Sequence, residues 1–468
     1  MDTFLSAAEI AARYRNKSLS PTEYTKACLA RIEALDPLLN SFITLTPERA
    51  LADAAAAEAD FARGVDRGPM QGIPYGQKDI VETAGIRTTG QSKSLSGYVP
   101  TADAVVETKL RQGGGVLLGK TTTWEFAHGG PSWDVVAPPA ANPWNPAHHP
   151  AGSSSGTGSA IAAGFMPVGI GTDTGGSIRM PAAACGTAGL KATYGRVSRR
   201  GVFPNSFSHD HVGPLGWTAM DAAMMLSVIA GFDPLDPGSA DEPVPAYHTL
   251  LDGDLKGTII GVPWHWLDEA KTPDETRAAF EAALTVFTEA GATIVPVTLP
   301  SLQDFSDAKK VVSMTELYAI HRKTLIETPE LLGESLRYRI QCGALIRAED
   351  YVQALRWRTQ LTRATQAVFK TVDLILTPTM DPAGKLEPTP HEWLFTHTSF
   401  TTAFNTTGNP ALSICNGFNT AGIPFSLQII GRNFDEVATL KAGHVYEQMT
   451  TWRAARPKLE EFAAAEAA

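Results

Sequence analysis

Short apolar runs alternate with longer amphipathic stretches along this chain. The runs are GVLLGK (115–120), PVGIGT (167–172), GTIIGVP (257–263), ATIVPVTL (292–299), VDLILTP (372–378), PALSICNGF (410–418) and PFSLQIIG (424–431). Each is short and often bounded by Gly or Pro, the mark of a strand buried on both faces. Between them lie helical patterns. Ser20-Pro21-Thr22-Glu23 has a capping Ser, a Pro at the first helical position and a Glu three residues after the cap, and it opens YTKACLARIEAL. Thr272-Pro273-Asp274-Glu275 repeats the device before TRAAFEAALTVFTEAG, with Gly291 placed to close the helix. Buried strands alternating with helices predict an α/β protein with α/β/α layers and a parallel or mixed sheet.

The pattern also divides the chain. Residues 1–65 read as helices, 66–300 as a core that carries the strands, 302–370 as a helical insertion over one face, and 371–468 as the return of the core. No internal repeat or linker interrupts this order, so 1–468 is expected to form one domain.

Composition narrows the picture. The chain has 468 residues, 43% hydrophobic and 19% charged, which is globular. Net charge is −10 and no Lys/Arg cluster tracks phosphates, so no nucleic-acid partner is expected. The longest apolar run, AIAAGFMPVGI, is about half the length a bilayer requires, and the first residues carry no basic-then-apolar leader pattern. A cytoplasmic protein without a membrane partner is the expectation. Cys28, Cys185, Cys342 and Cys415 are scattered, without a CxxC pair, so neither a disulfide framework nor a zinc site is expected. Cys185 reads as a small buried hydrophobe. His209-Asp210-His211 follows FPNSFS in an expected loop and lacks a recognisable ligand spacing, so no metal is assigned. His148 and His149 read as loop residues near a pocket entrance.

Three stretches carry possible chemistry. In GTDTGGSIRMPAA (171–183) two glycines precede Ser177. Successive amides in such a turn can converge on an anion, including the oxyanion of a tetrahedral intermediate. Ser177 is therefore either a turn serine or a nucleophile. Upstream stands PAGSSSGTGSAIAAG (150–164), whose G-x-S-x-G around Ser154 imitates a nucleophile elbow. The turn-rich NPWNPAHHPA before it cannot supply the strand that an elbow requires. No Lys follows its glycines as a phosphate loop needs. The third stretch, GIPYGQKDI (72–80), holds Lys78 among small and apolar residues. Lys78 is an ordinary surface lysine unless it is buried. Burial would lower its pKa and make the neutral amine a general base, and Ser–Lys catalysis needs no histidine.

Together these stretches resemble the amidase-signature hydrolases. The likeness runs from the N-terminal helices to NTTGNPALSICNGF and GIPFSLQIIGR, and is strongest in GTDTGGSIRMPAAACGTAGLKATYGRVS (171–198). It implies a large mixed, twisted sheet in three layers. Ser177 matches the family nucleophile, Ser153 the bridging serine on a non-proline cis peptide bond, and Lys78 the base. Thr174, Gly175, Gly176 and Ser177 match the oxyanion-hole amides, while Asp173 and Arg179 match structural positions. Ser154, Gly129, Gly130 and Trp133 fall near the substrate. No cofactor is implied.

Two departures stand out. AGSSSGTGS replaces the usual G-G-S-S-G-G-S, with Ala151 and Ser155 in place of glycines and Thr157-Gly158 continuing the departure. The segment before NPW (126–145) carries Trp133 and small apolar residues instead of a polar run, which suggests an apolar pocket. The glutaminase subunit of tRNA-dependent amidotransferases holds glutamine with an Arg and an Asp. Arg339 matches the Arg, but Thr398 stands where the Asp should be. The resemblance thus favours a stand-alone amidase, monomeric or homodimeric, acting on a small or aryl/alkyl amide, a carbamate or a urea. A glutaminase subunit working in a complex is the alternative.

Overall fold

The computed structural model describes residues 1–466. Eleven strands form one sheet. They are β1 (Phe42–Leu45), β2 (Pro74–Lys78), β3 (Val116–Thr121), β4 (Val168–Asp173), β5 (Ala188–Lys191), β6 (His211–Gly216), β7 (Ile259–Val262), β8 (Thr293–Pro296), β9 (Leu374–Pro378), β10 (Ala411–Phe418) and β11 (Pro424–Ile430). Their order is β1-β3-β2-β4-β6-β5-β10-β11-β9-β7-β8. β2 runs parallel to β3 and β4, and β7 parallel to β8 and β9; the remaining neighbours are antiparallel. The sheet is therefore mixed, as expected.

β2, β3, β4, β5, β6, β9 and β11 are buried at every position. Successive side chains of a strand point to opposite faces, so burial throughout means that both faces are covered, which makes three layers. The edge strands β1 and β8 have no buried position. All seven apolar runs contain a strand. β1 is an addition, because it interrupts the segment 1–65 that was expected to be helical throughout. β6 is another: His211 opens a strand, not a loop.

Ser20 caps its helix as expected, accepting from the Glu23 amide. Thr272 does not. The helix Asp274–Glu289 has Pro273 at its cap, and the Thr272 hydroxyl is buried without a partner. The segment 302–370 is helical, with Glu334–Gly343 and Ala348–Val368 both packed on Leu302–Glu327. Among the described residues no helix is long and apolar enough to cross a membrane.

Candidate active site

Adjacent strand ends bring the three motifs together. Lys78 closes β2, and β4, its parallel neighbour, ends at Asp173 and runs into the turn that holds Ser177. Asp173 shapes that turn. Its Oδ1 accepts from the Gly176 amide at 2.7 Å and its Oδ2 from the Ile178 amide at 3.2 Å. Its carboxylate also receives Arg179 Nε and Nη2, each at 3.0 Å. The helix Arg179–Cys185 starts directly after this clamp. Gly176 sits at φ +131°, and a Cβ there would lie 2.4 Å from Thr401 Oγ1, so only glycine fits.

Ser153 stands just before the helix Ser155–Ala162, and its bond to Gly152 is cis. Lys78 Nζ donates to Ser153 Oγ at 2.7 Å and to Thr172 Oγ1 at 2.7 Å. Both Lys78 and Ser153 are fully buried. Burial brings the Lys78 amine down to about 7, against the upward pull of Asp173 and Asp210. Ser154 is a structural link. Its amide donates to the Ser177 carbonyl at 3.2 Å, and its hydroxyl donates to the Thr172 carbonyl at 3.2 Å. The Ser177 side chain is 8% exposed and borders a cavity. No hydrogen bond joins its hydroxyl to that of Ser153; such contacts often tighten only with substrate bound.

Of the four amides expected to form an oxyanion hole, Gly176 N–H is already held by Asp173. That leaves Thr174, Gly175 and Ser177. The departures in AGSSSGTGS are accommodated locally. Ala151 takes φ +55°, a conformation natural to glycine, and the Thr157 hydroxyl meets Thr121 Oγ1 at 2.7 Å and donates to the Ile170 carbonyl.

The cavity over Ser177 has a volume of about 120 Å³. The wall of this cavity is mainly apolar, as expected, but it also carries cations that the sequence pattern does not announce. Trp124, Met180 and Trp393 share its wall with Lys309, Lys310 and Arg339, and no Asp or Glu is among the described lining residues. The segment 126–145 contributes only its first residues, Ala127, His128 and Gly129. Gly130 instead faces Thr389, and Trp133 is 52% exposed away from this wall. The cations come from the 302–370 helices, whose alignment over the site no local pattern announces. The sequence reading named Arg339 but missed Lys309 and Thr172. A doubled lysine in a helix, DAKK, is the only signal the former leaves.

The remaining candidates are structural. His209 Nδ1 pairs with Ser206 Oγ at 3.0 Å, and His211 Nδ1 lies 3.1 Å from the Asp173 carbonyl. Burial drives both rings well below the usual histidine range. His148 and His149 do not border the cavity; His149 Nε2 meets the Gly384 amide instead. Cys185 is fully buried.

A family model described as Amidase matches residues 23–440. The chain belongs to the amidase-signature family. It is 39% identical to a glutamyl-tRNA(Gln) amidotransferase subunit of Chloroflexus aggregans, over 94% of this chain and 95% of that one. It is 37% identical to an amidase of Pseudomonas putida, over 98% of each. Among solved structures it resembles the native peptide amidase of Stenotrophomonas maltophilia, with a TM-score of 0.85, 31% identity and coverage of 97% and 98%. These likenesses place the mixed eleven-stranded sheet in the amidase-signature fold.

Proposed function

We propose that this amidase-signature protein hydrolyses the C–N bond of a small amide through an acyl-enzyme on Ser177. The observation that carries the reading is the buried Lys78 amine, 2.7 Å from Ser153 Oγ and poised near neutrality. Neutral Lys78 takes the Ser153 proton as Ser153 takes that of Ser177. Ser177 Oγ then attacks the amide carbon. The oxyanion is met by the Thr174, Gly175 and Ser177 amides, already aimed by a turn that Asp173 holds. As the intermediate collapses, Lys78 returns the proton through Ser153 to the departing nitrogen and the C–N bond breaks. Water, activated by the same relay, releases the acid. Carbamates and ureas can follow the same route.

Intact-mass spectrometry after mixing with an activated ester tests this. A covalent acyl adduct is expected in the wild type and none in Ser177→Ala, whose kcat should fall by several orders of magnitude. Undiminished turnover by Ser177→Ala, or by Lys78→Ala on an amide, would sink the relay.

The amidotransferase name of the Chloroflexus relative favours a second reading, a glutaminase that acts only within a complex. Glutaminase activity that emerges only with partner proteins would establish it. The cavity wall argues the other way, since its described residues include no carboxylate for the ammonium group of glutamine.

A further inference from the structure

The helix Ala348–Val368 runs for 21 residues, yet within it only Ala354, Leu361 and Thr365 are buried. Polar contacts tie down its inner side. Arg358 donates to the Thr406 and Ser208 carbonyls at 2.8 and 2.9 Å, and the Tyr351 hydroxyl donates to Glu316 at 3.2 Å. Its outer side carries Val352 and Trp357, 51% and 41% exposed, and Leu345 in the turn before it is 83% exposed. A helix surface turned to water alone is polar, whereas these apolar residues gather on one face. Leu345 and Trp357 border a groove of about 590 Å³ against the helix Leu302–Glu327, with Ala308, Val311 and Ala354 in its lining.

The charges of the groove are unanswered across it. Asp307 stands on the wall formed by Leu302–Glu327 and Arg356 on the wall formed by Ala348–Val368. Asp307 Oδ1 accepts from Gln303 at 2.7 Å and Arg356 Nη1 donates to Gln353 at 3.2 Å, and both of these neighbours are neutral. The remaining acid of the lining, Asp350, is paired with Arg347. One surface thus holds an apolar knob, an apolar groove, an acid and a base.

We propose that this groove is the interface between two copies of the chain related by a two-fold axis. Such an interface needs a patch that complements itself, with both shapes and both charges present on it. Leu345 of each copy enters the groove of the other over Ala308 and Ala354, Trp357 anchors the edge, and Asp307 of each copy meets Arg356 of the other. A nucleic acid or an anionic membrane calls for a surface of one sign, which this balanced one is not. Asp307 and Ala308 directly precede Lys309 and Lys310, so one helix serves both the interface and the wall of the Ser177 cavity. The interface does not depend on the chemistry at Ser177.

Sedimentation velocity on the full chain, over a dilution series from nanomolar to high micromolar, tests this. A monomer–dimer equilibrium is expected. Asp307→Arg puts two like-charge pairs into the dimer and should weaken it at least roughly 10²-fold, and Arg356→Asp should do the same. Combining the two reverses each pair and should bring the dissociation constant back to within about tenfold of the wild type, which damage to the fold cannot do. Leu345→Glu changes a side chain too exposed to be needed for folding, and should leave a monomer at every concentration. A wild type that stays monomeric throughout would overturn the proposal and leave this face to a different protein. A dimer indifferent to Asp307→Arg and Leu345→Glu, or a double variant no tighter than either single one, would overturn it as well.

Discussion

Lys78 works against the fold, and in the proposed relay the same burial serves the reaction. Its amine is lowered to about 7 by burial, while an unfolded chain holds that proton up to about 10.5. Between those values the unfolded state binds more protons, so the penalty eases as pH rises and disappears above the unfolded pKa. Lys78→Met should therefore raise Tm most near pH 7 and least near pH 10. The gain is on the order of a few kcal/mol, less the two hydrogen bonds given up to Ser153 and Thr172. Thermal unfolding of both proteins across that range checks it, and a constant difference would contradict the linkage. Activity has the opposite need: kcat/KM should climb through about pH 7 as Lys78 becomes neutral and then level off for a neutral amide. The residues of the site also show how unevenly it could be read. Ser177, Ser153 and Lys78 could be singled out only through the family resemblance of three local motifs; taken alone, each also reads as an ordinary turn or surface residue. Lys309 could not be, because its meaning depends on a helix arriving from more than a hundred positions away.

At the scale of elements, legibility followed apolar continuity. The seven unbroken runs became strands. β1, β2, β5 and β6 went unnoticed because PYGQK and AGLK are too short and mixed to show a period. HVGPLG places Pro214 inside the sheet, where a missing N–H counts against a strand. Capping patterns misled once. Ser20 and Thr272 head the same motif, yet only Ser20 accepts its helix's amide. Ser20→Ala should cost about 1 kcal/mol, whereas Thr272→Ala should stay within about 0.5 kcal/mol. Urea denaturation of the two variants separates them, and equal losses would mean that Thr272 supports its helix in some other way.

Across the whole molecule, the two ends of the chain meet in one sheet. β5 pairs with β10 through Gly189–Ser413, Leu190–Leu412 and Lys191–Ala411, so strands from distant sequence form a continuous ladder. Arg179 reinforces this seam from the turn that carries Ser177. It reaches the Thr401 carbonyl at 2.9 Å, Gln428 Oε1 at 3.0 Å and Asn405 Oδ1 at 2.6 Å, besides Asp173. No part of this network is exposed; the turn that aims Ser177 is held by groups from the far end of the chain. We therefore expect one cooperative unit spanning both halves. Arg179→Met would leave the buried Asp173 carboxylate without its guanidinium, and the Thr401 carbonyl, Gln428 Oε1 and Asn405 Oδ1 without their donor, at a cost of about 3–5 kcal/mol. Hydrogen exchange by mass spectrometry should then show β4 and the β10–β11 pair losing protection by similar amounts, because opening either exposes the other. Protection lost around β4 alone, with β10–β11 as slow as in the wild type, would mean that the C-terminal strands stand by themselves and that the seam only positions the nucleophile.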